Sequence, residues 1–312
     1  MPSYRLDPQI AMLLAARKPA DQLDLRTLRE TAVAPAVAHP PAHGGAAHDH
    51  AVPLASRTLP IRLYPGIHKD CVILFFHGGG FVKGNLDSHD EQARTLRTGT
   101  GRSVVSVDYR LAPEHTFPSA YDDAVDTVHW AHAHAAALLG HGDHPVRVAV
   151  AGTSAGANLA VGAALALAQT REAPVAQLLV CPITSGDPGL PSRAEFAAGY
   201  GLTSQAIERF IDAYLAHPAQ RHDPRFAPAL SPDLAALPPT VLVSAGCDPL
   251  RDDARLFVHR LRAEGVRVLA REEPTLPHGF WKYAASSSVA HDAVTRMCDA
   301  FRGVLDSITA LQ

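Results

Sequence analysis

Short apolar runs, most of them rich in β-branched residues, punctuate the chain at 57–63, 72–76, 103–107, 146–151, 177–183, 240–245 and 267–271. Each has the length and character of a strand, and longer stretches with apolar residues at helical spacing separate the later ones. That alternation predicts an α/β fold with a mostly parallel central sheet and helices on both faces. In such sheets functional residues collect at the carboxyl ends of the strands.

Two regions depart from this rhythm. Upstream, Ile10, Leu13, Leu14, Leu23, Leu25 and Leu28 fall at helical spacing with Pro19 between them, which predicts two short helices. The stretch 34–53 holds little but alanine, proline, glycine and histidine and reads as a linker or flap. Farther on, Gly186, Pro188, Gly189 and Pro191 make a loop that leads through Gly199-Tyr200-Gly201-Leu202-Thr203 to a helix over 204–216. An insertion at that point, after a strand's carboxyl end, lies over the functional face. The chain therefore divides into N-terminal cap helices and flap (1–50), a first core part (51–184), a cap insertion (185–217) and a second core part (218–312).

With 312 residues and a net charge of −3, the chain can bury a full core and offers no basic tract for nucleic acid. No segment is long and apolar enough for a membrane span. The N-terminal residues lack the apolar segment of a secretory signal, so a cytoplasmic address is expected. Cys71, Cys181, Cys247 and Cys298 lie far apart within apolar patterns and are expected as buried thiols. His39, His43, His48 and His50 share no structural element and no carboxylate or cysteine joins them, so a solvated loop is expected there and no metal site.

The candidate chemistry begins at 146–160, where period-two valines give way to small helix formers at Ser154. Gly152 and Gly156 stand at positions −2 and +2, the Gly-x-Ser-x-Gly pattern of a nucleophile elbow. Alone the pattern is weak, because with glycine and serine each near roughly 7% of residues a chain of this length holds it about one time in ten. Other strand ends add weight. The run 72–76 leads into His77-Gly78-Gly79-Gly80-Phe81, whose glycines let backbone N–H groups face a ligand, as an oxyanion hole requires. His77 is expected to brace that loop. Asp248 follows the run 240–245, and His278 follows 267–271 on a Pro/Gly-rich loop. Nucleophile, acid and histidine occur in the chain order of α/β-hydrolases. The expected roles are nucleophile for Ser154, base for His278, orienting acid for Asp248, and oxyanion donors at the amides of Gly78, Gly79 and Ala155.

These motifs, with Asp108-Tyr-Arg-Leu-Ala-Pro-Glu114, Phe117-Pro-Ser-Ala-Tyr-Asp-Asp123 and His278-Gly-Phe280, make the chain resemble the hormone-sensitive-lipase-like (bacterial family IV) esterases of the α/β-hydrolase fold. The resemblance covers roughly 55–310. It implies a cofactor-free carboxylesterase for short acyl esters, a helical cap, and a homodimer formed through an edge strand, here 267–271. It also makes the 108–123 segment structural. Thr153 stands where many relatives carry Asp, and Gly201 replaces a bulkier residue, which is expected to widen the acyl pocket. Phe81, Tyr200, Leu202, Phe210 and Phe280 are candidates to line the substrate site, or else to pack the core. Two other functions fit parts of the pattern: an amide- or formamide-cleaving hydrolase with the same triad, and a non-catalytic binder like the plant gibberellin receptors. The binder class lacks the histidine that His278 supplies here.

Overall fold

The computed structural model describes residues 4–16, 22–38, 46–142 and 146–310. Among these, eight strands form one sheet: β1 (His48–Leu54), β2 (Arg57–Tyr64), β3 (His68–Phe76), β4 (Arg102–Val107), β5 (Arg147–Thr153), β6 (Gln177–Val180), β7 (Thr240–Cys247) and β8 (Val268–Pro277). Their order across the sheet is β1-β2-β4-β3-β5-β6-β7-β8. Strands β1 and β2 run antiparallel, and β4 through β8 are mutually parallel across β4-β3-β5-β6-β7-β8. All seven expected strands are present.

Strand β3 shows why the sheet is buried on both sides. Val72, Leu74 and Phe76 point into one apolar core while Cys71, Ile73 and Phe75 point into the other. The first core packs against α4 (Ser119–Leu138), α5 (Ala155–Leu167) and α8 (Arg251–Ala263), and the second against α3 (Asp90–Thr100) and α9 (Ser288–Thr309). Each fully buried Val, Leu, Ile or Phe contributes about 1.5–3 kcal/mol of transfer free energy, so this doubly covered strand anchors the glycine loop that follows it.

The N-terminal helices are α1 (Pro8–Ala15) and α2 (Leu25–Ala38). Asp7 caps α1 by accepting from the Ile10 amide at 3.1 Å. The 185–217 stretch contains α6 (Pro191–Glu195) and α7 (Ser204–Tyr214), the second capped by Thr203, which accepts from the Ala206 amide. The short α6 was not expected from its Gly/Pro-rich composition; Pro191 at its first turn fits a helix start.

Three boundaries correct the sequence reading. Within the expected flap 34–53, α2 extends to Ala38 and β1 begins at His48; residues 39–45, with His39 and His43, lie outside the described residues. Strand β1 forms because 48–54 folds back on β2 as a hairpin that buries Val52, while His48 and His50 stay exposed. Strand β6 ends at Val180 and not at 183, since Cys181 adopts a positive φ of 46° and Pro182 has no N–H to donate. Strand β8 runs on to Pro277 past an irregularity opposite 245–247, which carries its end to the edge of the site.

Candidate active site

At the end of β5 the chain turns into α5 within one residue. Ser154 carries that turn at φ 55° and ψ −118°, strained for a residue with a side chain. No bulk fits beside it: a Cβ on Gly156 would stand 2.0 Å from the Phe76 carbonyl oxygen, and one on Gly152 would stand 2.2 Å from the Gly156 oxygen. Both glycines of the motif are therefore required by close packing. The turn is tied to the sheet by the Ser154 amide, which donates to Val180 O at 2.8 Å. Asn158, two residues past the motif, donates from Nδ2 to Ile183 O and Phe226 O and so holds the neighbouring loops to α5.

Ser154 is only partly buried, and its hydroxyl donates to His278 Nε2 at 2.9 Å. The other ring nitrogen, Nδ1, donates to Asp248 Oδ2 at 2.8 Å. With Asp248 fully buried, its Oδ1 accepts from the Leu250 amide at 2.8 Å, so the carboxylate is fixed from both sides. This network assigns the proton to Nδ1 and leaves Nε2 as the acceptor. The three residues come from three separate strand ends, as the chain order predicts. Asp252, four residues further on, is occupied elsewhere with Arg251, Arg255 and the Ser192 amide. Asp253 is buried against the Thr184 and Ser185 amides.

The glycine loop sits against the elbow. A Cβ on Gly78 would lie 2.9 Å from Thr153 Oγ1 and 3.5 Å from Ser154 Cβ, so only glycine brings this backbone so near the serine. Gly79 has a φ of 131°, and the N–H of Ala155, at the first position of α5, has no partner within its own helix. Gly78, Gly79 and Ala155 all border the same cavity as Ser154 and His278. His77 braces the loop as expected: its Nδ1 donates to Gly78 O, its carbonyl accepts from the Tyr109 hydroxyl at 2.7 Å, and its ring stacks on Tyr109. Burial holds His77 neutral, with its pKa pushed down to about 4. The 108–123 segment is structural here too, since Arg110 and Arg57 both pair with the buried Asp123.

The cavity measures about 1090 Å³. Leu14 of α1, Leu28 of α2 and Leu23 between them, with Ile207, Phe210 and Ile211 from α7, supply apolar walls. Of the five apolar candidates, Phe81, Leu202 and Phe210 line it. Phe81 is also stacked on Tyr214 at 4.0 Å. Tyr200 and Phe280 are not part of the wall. Tyr200 packs edge-on against Phe196, and Gly279, at φ 67°, turns Phe280 into the second core, where it is fully buried. Gly201 borders the cavity beside Leu14, and a Cβ there would meet Leu14 Cδ2 at 3.0 Å, so a bulkier residue would press on that wall. The leucines of α1 and α2 were visible as helical spacing, but nothing in a linear pattern says that they face a cavity.

Cys181 Sγ lies within 4.8 Å of the ligand atoms of Asp248 and His278. Burial, together with the nearby Asp248 charge, raises its pKa well above the usual thiol value, so it is a protonated thiol beside the acid. All four cysteines are free and buried, as expected. Among the described residues no helix is long and apolar enough to cross a membrane.

An α/β sheet with a serine on a strained elbow, a histidine and acid on later strand ends, and a glycine loop beside them defines an α/β-hydrolase. A family model described as alpha/beta hydrolase fold matches residues 73–282. The chain belongs to this family, in its hormone-sensitive-lipase-like branch. It is 36% identical over 252 residues to an ethyl acetate hydrolase of Pseudomonas putida, covering 78% of each chain. With carboxylesterase NlhH of Mycobacterium tuberculosis it shares 39% identity over 254 residues, 79% of each. The crystal structure of an esterase from Pyrobaculum calidifontis superposes with a TM-score of 0.85 at 30% identity, over 96% of this chain and 99% of that one.

Proposed function

We propose that the chain is a serine carboxylesterase that hydrolyses short-chain acyl esters through an acyl-enzyme on Ser154. The observation that carries this reading is the continuous hydrogen-bond line from Ser154 Oγ through both ring nitrogens of His278 to the buried Asp248. His278 Nε2 takes the hydroxyl proton as Ser154 Oγ attacks the ester carbonyl carbon, and Asp248 stabilises the imidazolium. The amides of Gly78, Gly79 and Ala155 hold the oxyanion of the tetrahedral intermediate. Collapse expels the alkoxide, which takes the proton from His278. Water, deprotonated by His278, then attacks the acyl carbon and frees Ser154.

The names of the relatives support ester hydrolysis, and one of them acts on ethyl acetate. A helical cap built from α1, α2 and the 185–217 segment closes the apolar side of the cavity and favours small acyl groups. The expected homodimer would use β8, an outer strand of the sheet. Four buried, unlinked thiols fit a reducing cytoplasm.

Comparison of kcat/KM on p-nitrophenyl esters from acetyl to dodecanoyl, with Ser154→Ala as the blank, tests the reading. A maximum at short chains is expected. Activity rising with chain length would overturn the short-chain assignment, and absence of serine-dependent turnover on every ester would overturn the enzyme assignment.

A further inference from the structure

Helix α8, which begins three residues after Asp248, has no side-chain cap of its own. Its N-cap residue is Leu250, whose side chain has no oxygen for the first turn, where Ser, Thr, Asp or Asn would accept from the second or third amide. The acceptor comes from the 185–217 insertion instead. Ser192 of α6 is 0% exposed, and its Oγ accepts from the Asp252 amide at 3.1 Å while donating to Pro249 O at 2.8 Å. One buried hydroxyl thus closes the turn between Asp248 and α8 from outside.

The Pro249 carbonyl matters because of what shares its plane. Pro249 C=O and Leu250 N–H belong to one rigid peptide unit, and the Leu250 amide is the group that donates to Asp248 Oδ1 at 2.8 Å. Ser192 therefore holds one end of a planar unit whose other end holds the triad carboxylate. Donation to the carbonyl also polarises that peptide and strengthens its N–H as a donor. Neighbouring contacts fix the two ends of the turn and leave its middle to the hydroxyl: the Arg251 amide donates to Asp248 O, and Asp253 accepts from the Thr184 and Ser185 amides. Ser192 is not among the described residues that border the cavity.

Resting on the esterase reading above, we propose that Ser192 is a positioning residue for the reaction: through the Pro249–Leu250 peptide it fixes the Asp248 carboxylate against His278 without touching substrate. The Asp252 side chain is secondary in this arrangement. In Asp252→Asn its oxygen still accepts from the Ser192 amide, and the hydroxyl bridge is unchanged.

The test is a double-variant cycle on p-nitrophenyl butyrate, with kcat and KM measured for the wild type, Ser192→Ala, Asp248→Asn and the two combined, and urea melts to confirm folding. Ser204→Ala is the control, since its hydroxyl donates to Arg193 O at 2.6 Å within the same insertion but does not reach the acid turn. Ser192→Ala should lower kcat at least about 5-fold with KM within about 2-fold, because a misplacement of about 1 Å in a catalytic constellation costs up to about 100-fold. With Asp248 already Asn, the same substitution should lower kcat by less than about 2-fold, and Ser204→Ala alone should leave it within about 2-fold. A smaller loss in Ser192→Ala, a loss of the same size in both backgrounds, or an equal loss in Ser204→Ala overturns the proposal. Should Ser192→Ala fail to fold, Ser192→Cys, which keeps a weaker donor of similar size, takes its place, and an unchanged kcat there overturns the proposal as well. Failure of the esterase reading itself would show separately, as no wild-type turnover above a Ser154→Ala blank.

Discussion

Replacing Asp248 by Asn alters one contact of the triad while leaving its shape intact. Asp248 Oδ1 accepts from the Leu250 amide and Oδ2 from His278 Nδ1, both at 2.8 Å. In the variant the amide oxygen takes over the Leu250 contact, and the NH2 group then faces Nδ1. Two donors cannot meet, so His278 moves its proton to Nε2, the atom that must accept from Ser154. The enzyme then holds its base in the wrong tautomer. The same exchange in a serine-protease triad lowers kcat by about 10⁴-fold, which at about 1.36 kcal/mol per decade is a barrier increase of about 5 kcal/mol. Asp252→Asn is the control. Its carboxylate pairs with buried Arg251 and with Arg255 and accepts from the Ser192 amide, none of them a member of the triad, so activity should change by less than about 3-fold. Both variants are assayed for kcat/KM on p-nitrophenyl butyrate, with urea melts to confirm folding. If Asp248→Asn kept more than about a tenth of the activity, or Asp252→Asn fell as far, the acid would be misassigned.

Gly156→Ala should cost at least about 3 kcal/mol in urea unfolding, because its Cβ would meet the Phe76 oxygen at 2.0 Å; a stable, active variant would contradict the packing of the elbow. Acid should destabilise the fold between pH 6.5 and 4. Over that window the unfolded chain binds a proton that buried His77, with its pKa near 4, refuses, so stability falls by up to about 1.4 kcal/mol per pH unit and the effect levels off below pH 4. Urea midpoints constant from pH 7 to 4.5 would refute this. Arg29 forks onto Glu114 and also donates to Val82 O and Ala112 O, and the Arg29 bond holds the Glu114 carboxyl down at about 2. This contact is therefore present above about pH 4.5 and lost as pH falls through 2. Glu114→Gln should speed amide exchange in α2 at neutral pH, and no change would remove Arg29 as its tether.

Ser154 and Asp248 were legible because each sits where a buried strand made of a short apolar run ends, whereas His278 follows β8, a largely exposed edge strand that continues to Pro277. The elbow's glycines carried the same message, since their spacing records the absence of room on either side of Ser154. What escaped the linear pattern depended on pairing and direction. Strand β1 has the composition of a linker and becomes a strand only through its hairpin with β2. Phe280 sits next to a catalytic motif, yet the left-handed turn at Gly279 sends it into the core and leaves Trp281 at the cavity wall. Leu14 and Gly201 lie far apart in sequence, and only the fold brings them side by side at the cavity wall.

Ser154 carries the acyl group in the proposed reaction. Incubation with diethyl p-nitrophenyl phosphate, followed by peptide mass mapping and an activity assay on the same sample, tests it directly. One diethylphosphoryl group per chain is expected on the peptide holding Ser154, with loss of activity in proportion to labelling and no labelling there in Ser154→Ala. Label on another residue with matching loss of activity, or full labelling of Ser154 with activity retained, would contradict it.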